Sequence, residues 1–334
     1  MTTRPRAVVF AYSEVGARCL GALYECDWDV PLVVTHEDDP HERRWFASVA
    51  ATARAAGSRV LAPEDPSDPA LARELVAVKP DFVFSFYYRR MLPLAVLRAA
   101  TRGALNMHGS LLPKYRGRAP VNWAVLHGET ETGASLHYMV ERPDAGALVD
   151  QQSVAIGPDD TAFEVAQRVA DAAVVVLRRS LPALLAGTAP ARPLDLAQGS
   201  YFGGRTPADG EFSLGWPAAR IHDLVRAVAP PFPGAFTCLR GHELRVHRSA
   251  REAAPARHGA LGPCLYADEH GLVAECGDGR RLRLVEAWLD GVPVDAACLV
   301  AVFGPSPIVA AARGTPATHV PGIRPAPPEK SARP

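Results

Sequence analysis

The chain predicts an α/β protein: a doubly wound, mostly parallel sheet followed by a small β-barrel domain. Three observations predict it. From Arg6 to Met107, short β-rich runs alternate with segments of helical spacing, the pattern of βαβ units. From Ala235 to Phe303, strand-like runs are separated by Gly and Asp turns instead. Between these regions, Gly187 to Gly199 is rich in Pro, Ala and Gly and reads as a linker. The expected organisation is a catalytic domain over 1–190, a linker over 191–204, a second domain over 205–310 and a Pro-rich, disordered tail over 311–334.

In order, Arg6 to Tyr12 reads as a strand and Gly16 to Glu25 as a helix, with Leu20, Leu23 and Tyr24 on one face. Val30 to Thr35 is a second strand, and His41 to Ala56 a second helix ended by Gly57. Arg59 to Ala62 is strand-like, Pro69 to Val78 helical, Asp81 to Phe86 a strong apolar strand and Pro93 to Ala100 a helix. Gly103 to Met107 is a further strand, and Ala134 to Val140 another apolar run. Thr161 and Glu164 form a capping box that opens a helix to about Ala186, and Ala218 to Val228 is helical. Ligands of doubly wound sheets bind beyond the carboxyl ends of the strands, which draws attention to His108. The first strand–helix turn, AYSEVGARCL, lacks GxGxxG, so a dinucleotide-binding oxidoreductase is disfavoured.

Composition narrows the function classes. The 334 residues are 48% hydrophobic and 22% charged, ordinary for a globular protein. Lys+Arg and Asp+Glu both total 36, and this neutral balance argues against sequence-independent nucleic-acid binding. No apolar run approaches the ~20 residues of a membrane helix, and the N-terminus carries no signal-peptide pattern, so a cytoplasmic protein is expected. The six cysteines are scattered without a CxxC and read as free thiols. His36 stands beside Glu37, Asp38 and Asp39, but without a second His or Cys at ligand spacing a solvated loop is expected, and no metal.

The chemistry concentrates between Asn106 and Gly146, NMHGSLLPKYRGRAPVNWAVLHGETETGASLHYMVERPDAG. On a strand, Asn106 and His108 point to the same face. An amide and an imidazole side by side can hold a developing oxyanion and move a proton. Asp144, before Ala145 and Gly146, is placed to return to that face. These three suit acyl transfer to an amine without a covalent enzyme intermediate. His137, in mid-strand, and His127, at a helix terminus, read as structural. Lys114, Arg116 and Arg118 cluster in the loop after the strand, where a pyrophosphate would find charge-matched donors.

HGSLLPKYRGRAP, the NW that follows it, HGETETG and PDAG resemble the folate-dependent formyltransferases. The resemblance extends through VVFAY (Val8 to Tyr12), VVTHEDDP, FSFYYRRMLP, FGGRTPADG and RAVAPPFPGAF, most of residues 6–250. It implies a Rossmann-like domain followed by an OB-like one, with 10-formyltetrahydrofolate as formyl donor and no metal. It also implies a catalytic set of Asn106, His108 and Asp144, in which Asp144 raises the pKa of His108. A pterin slot would be built from Arg90, Met91 and Leu92 on one side and Val140, Glu141, Arg142, Pro143 and Asp144 on the other. Phe86, Tyr87 and Tyr88 are candidates to wall it, with at least one of them reserved for the core.

Within the family the match is nearest to the branch that formylates the 4-amine of UDP-4-amino-4-deoxy-L-arabinose in lipid A modification. Arg118 and Arg205 then contact the sugar nucleotide, and Gly204 departs from the pattern, which has an arginine there. The partners implied are small molecules, without nucleic acid or membrane insertion, and the oligomeric state stays open. A dehydrogenase-like second activity, found in a bifunctional member, is not expected in this chain. The alternatives are a methionyl-tRNA formyltransferase, whose motif resembles RGAAPIQ, transfer to another nucleotide amino sugar or a hydroxyornithine, and a catalytically silent sensor.

Overall fold

A computed structural model describes residues 4–37 and 45–310. Its first half runs β1 (Arg6–Ala11), α1 (Ser13–Glu25), β2 (Asp29–Val34), α2 (Val49–Ala55), β3 (Arg59–Leu61), α3 (Pro69–Val78), β4 (Phe82–Phe86), α4 (Leu94–Leu97) and β5 (Gly103–His108). β6 (Arg116–Gly117), α5 (Pro120–Leu126), β7 (Glu131–Tyr138), β8 (Leu148–Ala155), α6 (Ala162–Ala186), β9 (Tyr201–Phe202) and α7 (Ala218–Ala227) follow. The sheet order is β3-β2-β1-β4-β5-β7-β8, parallel from β3 through β5 and antiparallel at β7 and β8. This is the expected Rossmann-like sheet, with an antiparallel hairpin added at one edge.

Alternation along β1 explains why helices cover both faces. Ala7, Val9 and Ala11 join the core under α1 and α6, whereas Val8 and Phe10 join the opposite core under α3 and α4. Each fully buried Val, Leu or Phe contributes roughly 1.5–3 kcal/mol, so a strand buried on both faces is a strong anchor. α6 is 25 residues, about 37 Å long. Thr161 and Glu164 cap its start reciprocally, and Gly187 ends it at φ +69°.

The expected second helix is shorter than its sequence pattern. Residues 45–48 are not helical, α2 starts at Val49 on the cap of Ser48, and the remainder of the expected span lies outside the described residues. The helix expected over 93–100 is a single turn, α4. Residues 191–204, expected as a linker, include β9, which pairs in parallel with β6 and so abuts the catalytic loop. The tail over 311–334 lies outside the described residues.

The C-terminal domain comprises β10 (Ala235–Leu239), β11 (His242–Pro255), β12 (Cys264–Asp268), β13 (Gly271–Glu275), β14 (Arg280–Leu289), β15 (Val292–Pro293), α8 (Ala296–Phe303) and β16 (Ile308–Val309). Its antiparallel order is β10-β11-β14-β13-β12-β16, with β15 on β14. Register shifts along the 14-residue β11 curl the sheet into an OB-like half-barrel. Among the described strands, β10 and β16 do not pair, so the expected barrel is open. α8 falls where strands were expected. Among the described residues no helix is long and apolar enough to cross a membrane.

Candidate active site

β5 carries Asn106 and His108 on one face and Met107 on the other, where Met107 is buried in the main core. β7 lies antiparallel beside β5 with His137 opposite Asn106 and Ser135 opposite His108. Residues directly opposite share a face, so His137 joins the pair. It was expected to be structural. Its ring is 1% exposed, donates from Nδ1 to the Tyr138 carbonyl at 2.8 Å and presents Nε2 to Asn106 Nδ2 at 3.2 Å. The signal that would have found it is register: only the pairing of two strands far apart in sequence puts it there.

Asp144 reaches the cluster because the chain folds back after β7. Tyr138 N–H donates to the Ala147 carbonyl at 2.9 Å, closing a loop over 139–146. Gly146 is required for that closure, since a Cβ there would collide with the Tyr138 carbonyl oxygen. Asp144 itself adopts φ +50°, which an aspartate tolerates better than most residues. Its Oδ2 accepts from Gly117 N–H at 2.9 Å. Its Oδ1 lies 3.4 Å from Asn106 Nδ2, 3.5 Å from His137 Nε2 and 3.6 Å from His108 Nδ1. Burial pushes the Asp144 carboxyl upward, but the charge of His108, the bond and charge of His137 and the Gly117 N–H outweigh it and hold the group well below the ordinary carboxylate range.

His108 is 6% exposed, and its Nε2–H donates to the Tyr115 carbonyl at 2.8 Å. Both of its nitrogens thus face oxygens. The two amide hydrogens of Asn106 face His137 and Asp144. The cluster therefore holds a donor amide, a proton-carrying imidazole and a fixed negative charge within one hydrogen-bond network. Such a set can stabilise an oxyanion and shuttle a proton during acyl transfer. Among the described residues no group of three or more His, Cys, Asp or Glu is arranged to hold a metal.

The expected pterin loops flank β5. Leu92 and Met139 pack on one small core with Tyr88, Val96 and Ala104, which brings 90–92 and 140–144 to neighbouring places. Met91 and Val140 are exposed, as are Arg90, Glu141 and Arg142, while Leu92 and Pro143 are half-buried. Phe86 is core, and Tyr88 is buried edge-on against Phe10 with its ring stacked on His36. Of the three aromatics only Tyr87 stays half-buried, at φ +59°, its hydroxyl so close to Gly109 that a side chain there would overlap it. His36 is half-buried, and its Nε2 accepts from Arg89 N–H at 3.1 Å.

Arg118 is exposed at the end of β6, and its backbone N–H donates to the Phe202 carbonyl at 3.0 Å. Gly204 sits against its guanidinium, where an added Cβ would stand 3.5 Å from Nε. Arg205 follows, its guanidinium 5.0 Å over the Trp123 ring and its Nη2 donating to the Asp209 carbonyl at 3.0 Å. Its Nη1 is buried with no partner among the described residues. Trp123 is itself fixed by Nε1–H to the Gly203 carbonyl at 3.0 Å and by stacking on Phe202. Lys114 differs from the two arginines, since it pairs with Glu129 at 3.5 Å. A cavity of about 240 Å³ lies behind Tyr115, lined by Leu111, Lys114, Glu131, Thr132 and neighbours but by none of the catalytic candidates.

Residues 6–181 match the family described as Formyl transferase, and residues 205–299 match its C-terminal domain. The chain belongs to the formyl transferase family. Solved structures share the architecture at low identity. The N-formyltransferase from Helicobacter canadensis, in complex with folinic acid and dTDP-3-aminofucose, is 17% identical with a TM-score of 0.67, over 84% of this chain and 99% of that one. WlaRD, a sugar 3N-formyl transferase in the presence of dTDP and 5-N-formyl-THF, is 14% identical with a TM-score of 0.67, over 84% and 97%. HypX from Aquifex aeolicus, in complex with tetrahydrofolic acid, is 17% identical with a TM-score of 0.61, over 90% of this chain but 48% of that one. At such identities the likeness is one of fold.

Proposed function

We propose that this formyl transferase moves the formyl group of 10-formyltetrahydrofolate to the 4-amine of UDP-4-amino-4-deoxy-L-arabinose, in the cytoplasm, for lipid A modification. The observation that carries the transfer chemistry is the convergence of Asn106, His108 and Asp144 at the end of β5. The folate and the sugar nucleotide are supported by what the Helicobacter protein and WlaRD hold, and the choice of sugar by HGSLLPKYRGRAP with NW after it.

In this reading the neutral amine attacks the formyl carbon, and the carbonyl electrons move to oxygen. Asn106 and His108 stabilise the forming oxyanion. The bond from carbon to N10 then breaks, N10 gains a proton and the attacking nitrogen loses one, with His108 as carrier and Asp144 holding its charge. Arg90, Met91 and Leu92 with Val140, Glu141, Arg142, Pro143 and Asp144 enclose the pterin. Arg118 and the buried Nη1 of Arg205 meet the pyrophosphate.

Incubation with 10-formyltetrahydrofolate and a panel of acceptors, read by mass spectrometry, tests the reading. The panel holds UDP-4-amino-4-deoxy-L-arabinose, other UDP- and dTDP-amino sugars, hydroxyornithine and methionyl-tRNA. Formylation of the arabinose compound at the highest kcat/KM is expected. Preference for another nucleotide sugar would move the substrate, and formylation of only tRNA or hydroxyornithine would overturn the sugar-nucleotide reading.

A further inference from the structure

Three arginines are buried among the described residues: Arg116, Arg226 and Arg281. Arg226 pairs with Asp223 and reaches the Gly157 and Asp160 carbonyls. Arg281 pairs with Glu252 and Asp268. Arg116 is 4% exposed, yet its guanidinium has no hydrogen-bond or ion-pair partner among the described residues, and its Nε is wholly enclosed. Only Nε is enclosed, so Nη1 and Nη2, which have no partner among the described residues either, stay open to a ligand. Asp144, whose charge favours the charged form of Arg116, is already held by Gly117 N–H and lies beside Asn106 and two histidines.

The place of Arg116 is as telling as its lack of a partner. Tyr115 supplies the carbonyl that holds His108, and Gly117 the N–H that holds Asp144, so Arg116 lies between two supports of the catalytic network. Its charged neighbours are Arg142 on the expected pterin loop and Asp144. Burial and Arg142 both disfavour its charged form, while Asp144 favours it. Two guanidiniums that repel each other beside a carboxylate already held by a backbone N–H make a site for an added anion. β6 and β9 form one parallel ribbon, and Arg116, Arg118 and, after β9, Arg205 all issue from it.

We propose that Arg116 is a further substrate-binding residue, whose unpaired guanidinium receives the phosphate of the acceptor nearest the sugar. This rests on the sugar-nucleotide reading above. In it, Arg118 and Arg205 take the outer part of the pyrophosphate, and Arg116 fixes the inner end, so that the amine is delivered to Asn106 and His108. Because the donors come from one ribbon, the distance between the phosphate and the reacting nitrogen is set by β6 and β5 together.

Calorimetric titration of UDP and dTDP, and separately of 5-formyltetrahydrofolate, into wild type, Arg116→Met and Arg116→Lys tests the proposal. Arg116→Met is expected to weaken the nucleotide about tenfold to a hundredfold, the size of a lost charge-assisted contact. Its affinity for 5-formyltetrahydrofolate and its Tm should stay close to wild type. Arg116→Lys should lose roughly threefold to tenfold, since an ammonium lacks the planar fork. Nucleotide affinity within twofold of wild type in Arg116→Met overturns the proposal, and so does an equal loss of both ligands, which marks a structural role. If Arg116→Met does not fold, either of those two outcomes in Arg116→Lys overturns it instead. Wild-type protein that binds neither UDP nor dTDP overturns the sugar-nucleotide reading itself, and this anchor with it.

Discussion

The C-terminal domain and the catalytic domain each bring charge out of water, by opposite constructions. In the first, Arg283 binds Glu252 at 2.5 Å and Asp268 at 2.8 and 3.0 Å, and Arg281 reaches the same two carboxylates at 2.8 and 3.3 Å. Two cations meet two anions, and the hydrogen bond from Arg283 holds Asp268 well below the ordinary carboxylate range. In the second, a single carboxylate, Asp144, stands 3.4–3.6 Å from an amide and two imidazoles, with the unpaired Arg116 nearby. The ion-paired cluster locks β11, β12 and β14 to one another. The loose one keeps donors and a proton carrier available for exchange with a ligand. A buried charge is a candidate for function where its local partners leave it incomplete.

The largest test of that contrast is to break the loose cluster. His108→Ala and Asp144→Asn are expected to lower kcat by about 10²–10⁴, the range for a lost positioned acid–base group. Folate binding should be retained and Tm little changed. The double variant should lose no more than the worse single one, because residues that act as a unit are not additive. Steady-state kinetics alongside thermal melts decide this, and near-wild-type turnover in either variant removes that residue from the catalytic set.

Breaking the ion-paired cluster should do the reverse. Asp268→Asn leaves Arg283 with half of its partners and is expected to destabilise the protein by about 1–3 kcal/mol, between the values for exposed and buried pairs. kcat and both KM values should hold in whatever fraction remains folded. A fall in kcat without loss of stability would show that the C-terminal cluster also serves the reaction.

The same contrast explains how much was legible in advance. The parallel sheet follows from local signals, because buried strands are continuous apolar runs and helices carry caps such as Thr161 and Glu164. Asn106 and His108 are legible as a pair because their relation is local, two residues along one strand. His137 is not, since its relation to Asn106 spans two strands and depends on their register. Arg116 was legible only as one of three basic residues in a loop suited to a pyrophosphate; that it is buried without a partner is a tertiary fact. β9 was hidden at the end of the expected linker, since its pairing partner β6 lies far back in the sequence. α8, AACLVAVF, is apolar throughout and carries no period that distinguishes helix from strand.

The smallest expected effect concerns His36, a charge avoided rather than paired or left incomplete. Burial, aided by Arg89 and Arg90, lowers its pKa to about 4. The neutral ring stacks on Tyr88 at 4.3 Å and accepts the Arg89 N–H, and protonation of Nε2 would remove that acceptor. In the unfolded chain a histidine titrates near 6.5. Between pH 6.5 and 4 the unfolded state therefore binds the proton and the folded state does not, so stability falls with pH across that window and levels off below it. His127, His222 and His247 are also held below their ordinary value by burial and pull the same way. The informative quantity is thus the stability gap between wild type and His36→Gln, from urea melts at several pH values. The gap should be full above pH 7 and shrink as pH falls to 4. Because the ring is half-exposed, its size should stay within about 1 kcal/mol. A gap that does not change with pH would mean that His36 charges as readily in the folded protein as in the unfolded chain.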